Sequence, residues 1–154
     1  MVVHVKDLCV SRVKSIESSQ PLKNAARMMN NMGISSLIVT TDGVAVGIIT
    51  ERDMMRSIML NLENLHKIPV RTFMSTELIT IKENALIEDA IELMVSNRIK
   101  KLPVTSAMDD KGTLIGILSM TDIVLKYPKM IPHFNDLDNR TAELSQFPYL
   151  DANE

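Results

Sequence analysis

The chain has 154 residues, of which 45% are hydrophobic and 23% charged; this is a globular balance with room for one ordinary domain or two small ones, and it argues against gross disorder. Lys plus Arg number 17 and Asp plus Glu 19, for a net charge of −2, too even to suggest nucleic-acid binding on charge, and no apolar run reaches the roughly 18 residues that cross a bilayer. A single cysteine, Cys9, excludes an internal disulfide and a multi-cysteine metal site.

With that cysteine and no N-terminal signal pattern, the expected location is the cytoplasm, without membrane attachment. The chain contains 12 Met, no Trp and only 3% aromatics, so its core has to be built from Ile, Val, Leu and Met.

A short extended piece over residues 13–16 leads to a helix start near residues 18–21. Leu22, Ala25, Ala26 and Met29 then recur at helical spacing, and Gly33 is placed to end that helix in the left-handed conformation. Leu37, Ile38 and Val39, a turn at Thr41, Asp42 and Gly43, and an apolar run over 44–49 predict a strand pair joined by a hairpin. A second helix is predicted over 50–60. A linker over 61–69 follows, with Pro69 just before the pattern begins again.

The rest of the chain repeats this order. Shifted by 65 residues, 5–40 falls on 70–105 without a gap and with eight identities, among them Val5/Val70, Ala25/Ala90, Met29/Met94 and Leu37/Leu102. After four extra residues in the polar stretch 106–111, the match resumes as Gly43/Gly112, Gly47/Gly116, Ile48/Ile117 and Asp53/Asp122. An insertion confined to a turn is what a structural duplication tolerates. The second copy predicts a strand at 78–81, a helix carrying Ile87, Ala90, Ile91 and Met94, strands at 102–105 and 114–118, and a helix over 119–126. Each β-α-β-β-α copy, roughly 55 residues long, is too small to bury much surface alone. The expected fold is therefore α/β (α+β): two β-α-β-β-α repeats packed sheet to sheet with pseudo-two-fold symmetry. The domain reading is residues 1–66 for the first repeat and linker, 67–127 for the second repeat, and 128–154 for an extension.

One motif carries chemistry in both copies. Gly47-Ile48-Ile49-Thr50-Glu51-Arg52-Asp53 and Gly116-Ile117-Leu118-Ser119-Met120-Thr121-Asp122 each run from a strand to a hydroxyl residue and then to an Asp three positions on. The ordinary role of Ser/Thr-x-x-Asp is a helix cap. A strand-to-helix turn also points unpaired N–H groups beyond the sheet edge, where an Asp can accept two ribose hydroxyls.

These tandem copies, each ending Gly-apolar-apolar-(Ser/Thr)-x-x-Asp, resemble a pair of CBS domains, named after cystathionine β-synthase; Leu102-Pro103-Val104 and Ser119-Met120-Thr121-Asp122-Ile123 fit that family's pattern closely. The resemblance covers about residues 5–126. It implies a stand-alone regulatory module that binds an adenosine-containing ligand, AMP, ADP or ATP, as an energy-sensing signal, with no required cofactor and no catalytic role. Asp53 and Asp122 would hold ribose hydroxyls, assisted by Thr50, Ser119 and Thr121. One cleft would combine Thr50, Arg52 and Asp53 with Thr80, Ala85, Ile99 and Pro103. The other would combine Ser119, Thr121 and Asp122 with Ser15, Ile34 and Ser35. Ile38 stands where Pro103 does in the other copy, Ser15 where Thr80 does, and Arg52 where Thr121 does, so unequal clefts are expected. Family members commonly dimerise through their helices, which implies a homodimer and an effector protein not identified by the sequence. The alternatives are an interaction scaffold with vestigial clefts and an S-adenosylmethionine sensor.

Arg98, Lys100 and Lys101 precede Leu102 where the first copy has Gly33, Ser35 and Ser36. As a solvated helix end they need no ligand; as a phosphate site, Lys100 and Lys101 would neutralise a nucleotide, and the expectation puts them with Asp53 and Arg52. Nucleic-acid binding there is not expected, because stacking aromatics are missing nearby. His4, His66 and His133 lack metal-ligand spacing, and Cys9 lacks an activating base. Glu88, Asp89 and Glu92 read as a solvated helix face. Met28, Met29, Met54, Met55, Met59 and Met94 read as core filler, with an association surface as the alternative. From 133 onward five acids stand against one base, Arg140, and Tyr127, Phe134, Phe147 and Tyr149 are four of the chain's five aromatics. The expectation is that this acidic extension folds back through its rings onto the body or a partner.

Overall fold

The fold is known from a computed structural model, which describes residues 2–60, 64–108, 112–130 and 132. The acidic extension from 133, His133 and part of the 106–111 insertion lie outside the described residues.

The chain is a mixed α/β protein with two three-stranded sheets and four α-helices among the described residues. The elements are β1 (Ser15–Glu17), α1 (Leu22–Met32), β2 (Ser36–Thr41), β3 (Val44–Thr50) and α2 (Glu51–Met59). They are followed by β4 (Ile81–Lys82), α3 (Ile87–Ser96), β5 (Lys101–Thr105), β6 (Leu114–Ser119) and α4 (Met120–Lys126). In each sheet the middle strand pairs parallel with the first and antiparallel with the third. The duplication read from the sequence is thus a duplication of β-α-β-β-α structure.

The chain divides into two compact units, Arg12–Ile79 and Met1–Ser11 with Thr80–Glu154. These units cross the repeat boundaries, because the opening segment of each repeat packs in the unit that holds the other repeat. In the first-repeat unit, Val70 is fully buried in a core of Ile16, Leu22, Ala25, Met29, Leu37, Val39 and Ile49. Ser75 pairs with Ile48 of β3 through N–H···O bonds of 3.0 and 2.9 Å. The segment ahead of it is tied down as well: the Leu22 and Lys23 amides donate to the carbonyls of Ile68 and Leu65. In the second-repeat unit, Val3, Val5 and Leu8 are buried, and Val10 pairs with Ile117 of β6 at 2.9 and 3.0 Å. Val5 and Val70 each open a single turn of 3-10 helix, so the equivalence seen in sequence extends to conformation.

Local chemistry explains the elements. Leu22, Ala25 and Met29 on α1 and Ile87, Ala90, Ile91 and Met94 on α3 are buried, as their spacing predicts. Gly33 ends α1 at φ 62°, ψ 34°, the left-handed cap that glycine adopts without a Cβ clash. At the equivalent place after α3 stands Arg98, also at positive φ, 54°. Asp42 and Gly43, at φ 52° and 79°, form the two-residue hairpin turn between Thr41 and Val44. Pro103 explains a difference between the sheets. In the first, the Ile38 amide donates to the Lys14 carbonyl at 3.0 Å and pairing starts at Ser15. Pro103 occupies the position of Ile38 and has no N–H, so pairing starts only at Ile81 and Thr80 lies outside β4.

The methionines divide. Met29 and Met94 are buried, and Met28 and Met54 pack against the core. Met55 and Met59 are 59% and 77% exposed beside the exposed Ile58 and Leu60, so the core-filler expectation does not hold for this face of α2. Glu88, Asp89 and Glu92 are exposed as expected. No helix among the described residues is long and apolar enough to cross a membrane.

Candidate functional site

Each unit carries one strand-to-helix turn with the same construction. In the first-repeat unit Thr50 ends β3 and caps α2 in extended conformation. Its amide and hydroxyl both donate to Asp53 Oδ2, at 2.7 and 2.8 Å. The next amide, that of Glu51, donates to the Ser35 carbonyl at 3.1 Å, which ties the loop ahead of β2 to the start of α2. Ile34, Ser35, Thr50, Arg52 and Asp53 are thereby gathered at one end of the sheet.

The second-repeat unit repeats this arrangement. The Ser119 hydroxyl donates to Asp122 Oδ2, the Asp122 amide donates back to Ser119 Oγ at 3.1 Å, and the Met120 amide donates to the Lys100 carbonyl at 2.9 Å. Lys101 pairs in register with Ser119. Ile99, Lys100, Lys101, Ser119, Thr121 and Asp122 are therefore gathered at the end of this sheet. Lys100 and Lys101 adjoin the turn that carries Asp122, in the same unit.

The capping role of both Asp residues is thus realised in the structure. All the side-chain bonds to Asp53 end on Oδ2, and the Ser119 hydroxyl likewise uses Oδ2 of Asp122. Among the described residues each Oδ1 is left for another donor while the cap holds the carboxylate in one orientation. Asp53 and Asp122 are half-buried, and Arg52, Lys100 and Thr121 are exposed. The cationic residues tied to the two turns differ: Lys100 and Lys101 adjoin the second-repeat turn through the backbone, and Arg52 lies in the first turn of α2.

The other predicted residues lie apart from these turns within their units. Ser15 is exposed on β1, separated from β3 by β2. It lines a groove of about 470 Å³ with Met28 and with Glu17, Gln20, Asn24 and Arg27, four residues that the sequence reading did not single out. Thr80 is exposed ahead of β4, Ala85 half-buried before α3, and Pro103 buried in β5. His4 is half-buried and His66 exposed, and the described residues hold no cluster of three metal-ligating side chains. Cys9 is half-buried, and burial, followed by the nearby Glu83 carboxylate, holds its thiol above the ordinary value.

Gly47 and Gly116 serve a purpose the sequence could not reveal. A Cβ on Gly47 would overlap the Ser75 carbonyl oxygen and stand 3.2 Å from Met74 Sδ. One on Gly116 would stand 3.1 Å from both Cys9 Sγ and the Val10 carbonyl oxygen. Each glycine lies beside the register shift in its sheet, where the opening segment of the other repeat closes on the strand. The glycine of the motif makes room for backbone.

The tandem sheets and paired Ser/Thr-x-x-Asp turns define a CBS domain pair. The chain belongs to the CBS domain family, whose pattern matches residues 5–60 and 70–129. It is 30% identical over 122 residues to the CBS domain-containing protein YhcV of Bacillus subtilis, covering 79% of this chain and 83% of that one. It is 31% identical to an uncharacterized Methanopyrus kandleri protein, of whose length it spans 61%. It is 34% identical over 130 residues to an inosine-5'-monophosphate dehydrogenase of Thermoplasma acidophilum, but that match covers 82% of this chain and only 24% of the enzyme. The CBS domain structure NE2398 superposes with a TM-score of 0.73 at 31% identity, over 82% of this chain and 98% of that one. The same fold occurs in the CBS pair of MJ0100, solved with 5'-methylthioadenosine and S-adenosyl-L-methionine (TM-score 0.74, 24% identity, 84% of this chain and 98% of that one). It occurs also in CBSX2, solved with AMP (TM-score 0.69, 22% identity, 82% of this chain and 97% of that one).

Proposed function

We propose that this chain is a regulatory module that binds an adenine nucleotide at its two strand-to-helix turns and signals occupancy to an effector protein. The observation that carries the reading is the pair of Asp carboxylates, each held through Oδ2 by its own helix cap. A carboxylate fixed in this way can accept ribose hydroxyls from Oδ1 without having to be ordered on binding. The adenosine compounds bound by MJ0100 and CBSX2 support an adenosine-type ligand here. Lys100 and Lys101 beside the Asp122 turn support a phosphorylated one, AMP, ADP or ATP, over S-adenosylmethionine, because a nucleotide's phosphates need nearby cations. The first-repeat turn, with Ser35 and Ser36 in place of those lysines, then binds phosphate less well. No resident cofactor or catalytic step is part of this reading.

Signalling requires that the ligand bind two conformations unequally. A homodimer is the expected vehicle. The exposed Met55, Ile58, Met59 and Leu60 at the end of α2 favour it, since Met-rich helical faces repack readily against partners. The single cysteine is consistent with work in the cytoplasm.

Isothermal titration with AMP, ADP, ATP and S-adenosylmethionine tests the proposal, repeated on Asp53→Asn and Asp122→Asn, which keep a capping oxygen but drop the charge. Saturable heat that is lost in one or both variants supports it. No heat from any ligand would leave the caps with a purely structural role and promote the scaffold reading. Unchanged ADP or ATP affinity in Lys100→Ala and Lys101→Ala would remove the phosphate assignment. A monomer mass by light scattering at micromolar concentration would remove the homodimer.

A further inference from the structure

Residues 3–10 run along the second-repeat unit and are bonded to the predicted ligand residue Ala85 and to Ile117, which lies on the strand that ends at Ser119. At one end the Val5 amide donates to the Ala85 carbonyl at 2.9 Å, the Lys6 amide to Glu83 at 2.9 Å, and the Ile87 amide to the Val3 carbonyl at 3.1 Å. At the other end Val10 and Ile117 exchange a pair of bonds, two residues before Ser119. Between them Lys126 Nζ, at the last turn of α4, donates to the Leu8 carbonyl at 3.0 Å. One segment therefore touches the residue ahead of α3, the strand that delivers Ser119, and the far end of the helix that Asp122 caps. Its apolar hold consists of three side chains, Val3, Val5 and Leu8, which are buried, whereas Lys6, Asp7 and Val10 are exposed. A segment with few apolar anchors and mostly backbone bonds is the kind that opens without global unfolding.

We propose that residues 3–10 form a latch whose docking on the second-repeat unit is linked to ligand binding at the Asp122 turn. The ligand is the adenine nucleotide proposed above, so the linkage rests on that reading; the opening of the latch does not. When the latch leaves, β6 loses its outer partner at Ile117 and α4 loses the Lys126 anchor. The Ser119–Asp122 cap is then held only from the β5 side. A ligand that needs that cap in its docked geometry must favour the closed latch, and by reciprocity a closed latch must raise the ligand's affinity. The equivalent segment at Val70–Thr72 lacks a counterpart to the Lys126 bond among the described bonds, which makes the second-repeat turn the coupled one.

Amide hydrogen exchange on the full chain tests this. The amides of Val5, Lys6, Val10, Ile87 and Ile117 are expected to exchange as one set, faster than the β5–β6 ladder, and Lys126→Met to accelerate that set about fivefold while leaving the ladder unchanged. AMP at ten times the dissociation constant found by calorimetry is expected to slow the set about tenfold. Exchange of the set together with the ladder would overturn the latch. Calorimetric binding of AMP without slowing would overturn the linkage and leave the nucleotide reading intact. No calorimetric binding of AMP, ADP or ATP would overturn the nucleotide reading and the linkage with it, while the Lys126→Met comparison still decides whether the latch opens.

Discussion

Replacing each motif glycine by alanine separates a structural role from a ligand role. At Gly47 the added Cβ meets a backbone carbonyl, that of Ser75, which cannot rotate away. Relief requires residues 74–75 to withdraw, breaking the Ile48–Ser75 bonds of 3.0 and 2.9 Å. Two backbone bonds at about 1 kcal/mol each, plus loosened packing of Met74 and Phe73 against the core, give about 3 kcal/mol of destabilisation. The smaller entropy of the unfolded alanine chain returns about 0.7 kcal/mol, so the net loss is roughly 2 kcal/mol, or about 4–8 °C in melting temperature for a chain of this size. At Gly116 the nearest atoms are Cys9 Sγ and the Val10 carbonyl oxygen, both at 3.1 Å. A shift of a few tenths of an ångström relieves that contact, and the net loss is about 0–1 kcal/mol. Urea and thermal denaturation of Gly47→Ala and Gly116→Ala, compared with the parent chain, measure the difference. Equal losses, or a larger loss at Gly116, would refute the argument that the rigidity of the opposing atom sets the cost.

Other predictions follow from single residues. Arg98→Gly should stabilise the chain by about 1 kcal/mol, since Arg98 holds a left-handed conformation that glycine adopts freely, and Gly33→Ala should destabilise it by about the same amount; both are read by thermal melting. Asp53→Ala should cost about 1 kcal/mol without any ligand, because it removes the acceptor of the Thr50 amide and hydroxyl; unchanged stability in urea would show that water replaces the cap. The Cys9 thiol, raised by burial, should show an alkylation midpoint at higher pH in the native chain than in urea. Its folded pKa lies above the unfolded one, so the associated stability is complete below the unfolded thiol pKa and is lost as pH rises past it. Coincident native and denatured midpoints would contradict this.

What the sequence determined by itself is everything with short reach along the chain. The buried faces of α1 and α3, the Asp42–Gly43 turn, the left-handed Gly33 and the Ser/Thr-x-x-Asp caps each depend on residues within a turn or two of one another, and the 65-residue repeat shows because both copies carry the same local pattern. They are legible because helical period, strand alternation and capping are local rules. The same locality made the two Asp turns identifiable as candidate sites, since each cap is built within four residues.

Only the tertiary structure decided which parts of the chain meet. Val5 and Val70 occupy equivalent places in the repeat, and nothing in their sequence says that each segment packs in the unit of the other repeat. Gly47 and Gly116 read as parts of a ligand motif, whereas a Cβ would overlap Ser75 at the first and crowd Val10 at the second, residues that lie far from them along the chain. That Lys100 adjoins the start of α4 is likewise a tertiary fact, made by the bond from the Met120 amide to the Lys100 carbonyl. Even the shortening of β4 by Pro103 needed the parallel partner to be known before a missing N–H acquired a consequence. A pattern of residue types records what each position tolerates, while the identity of the neighbour that imposes the limit is set by backbone contacts between distant segments.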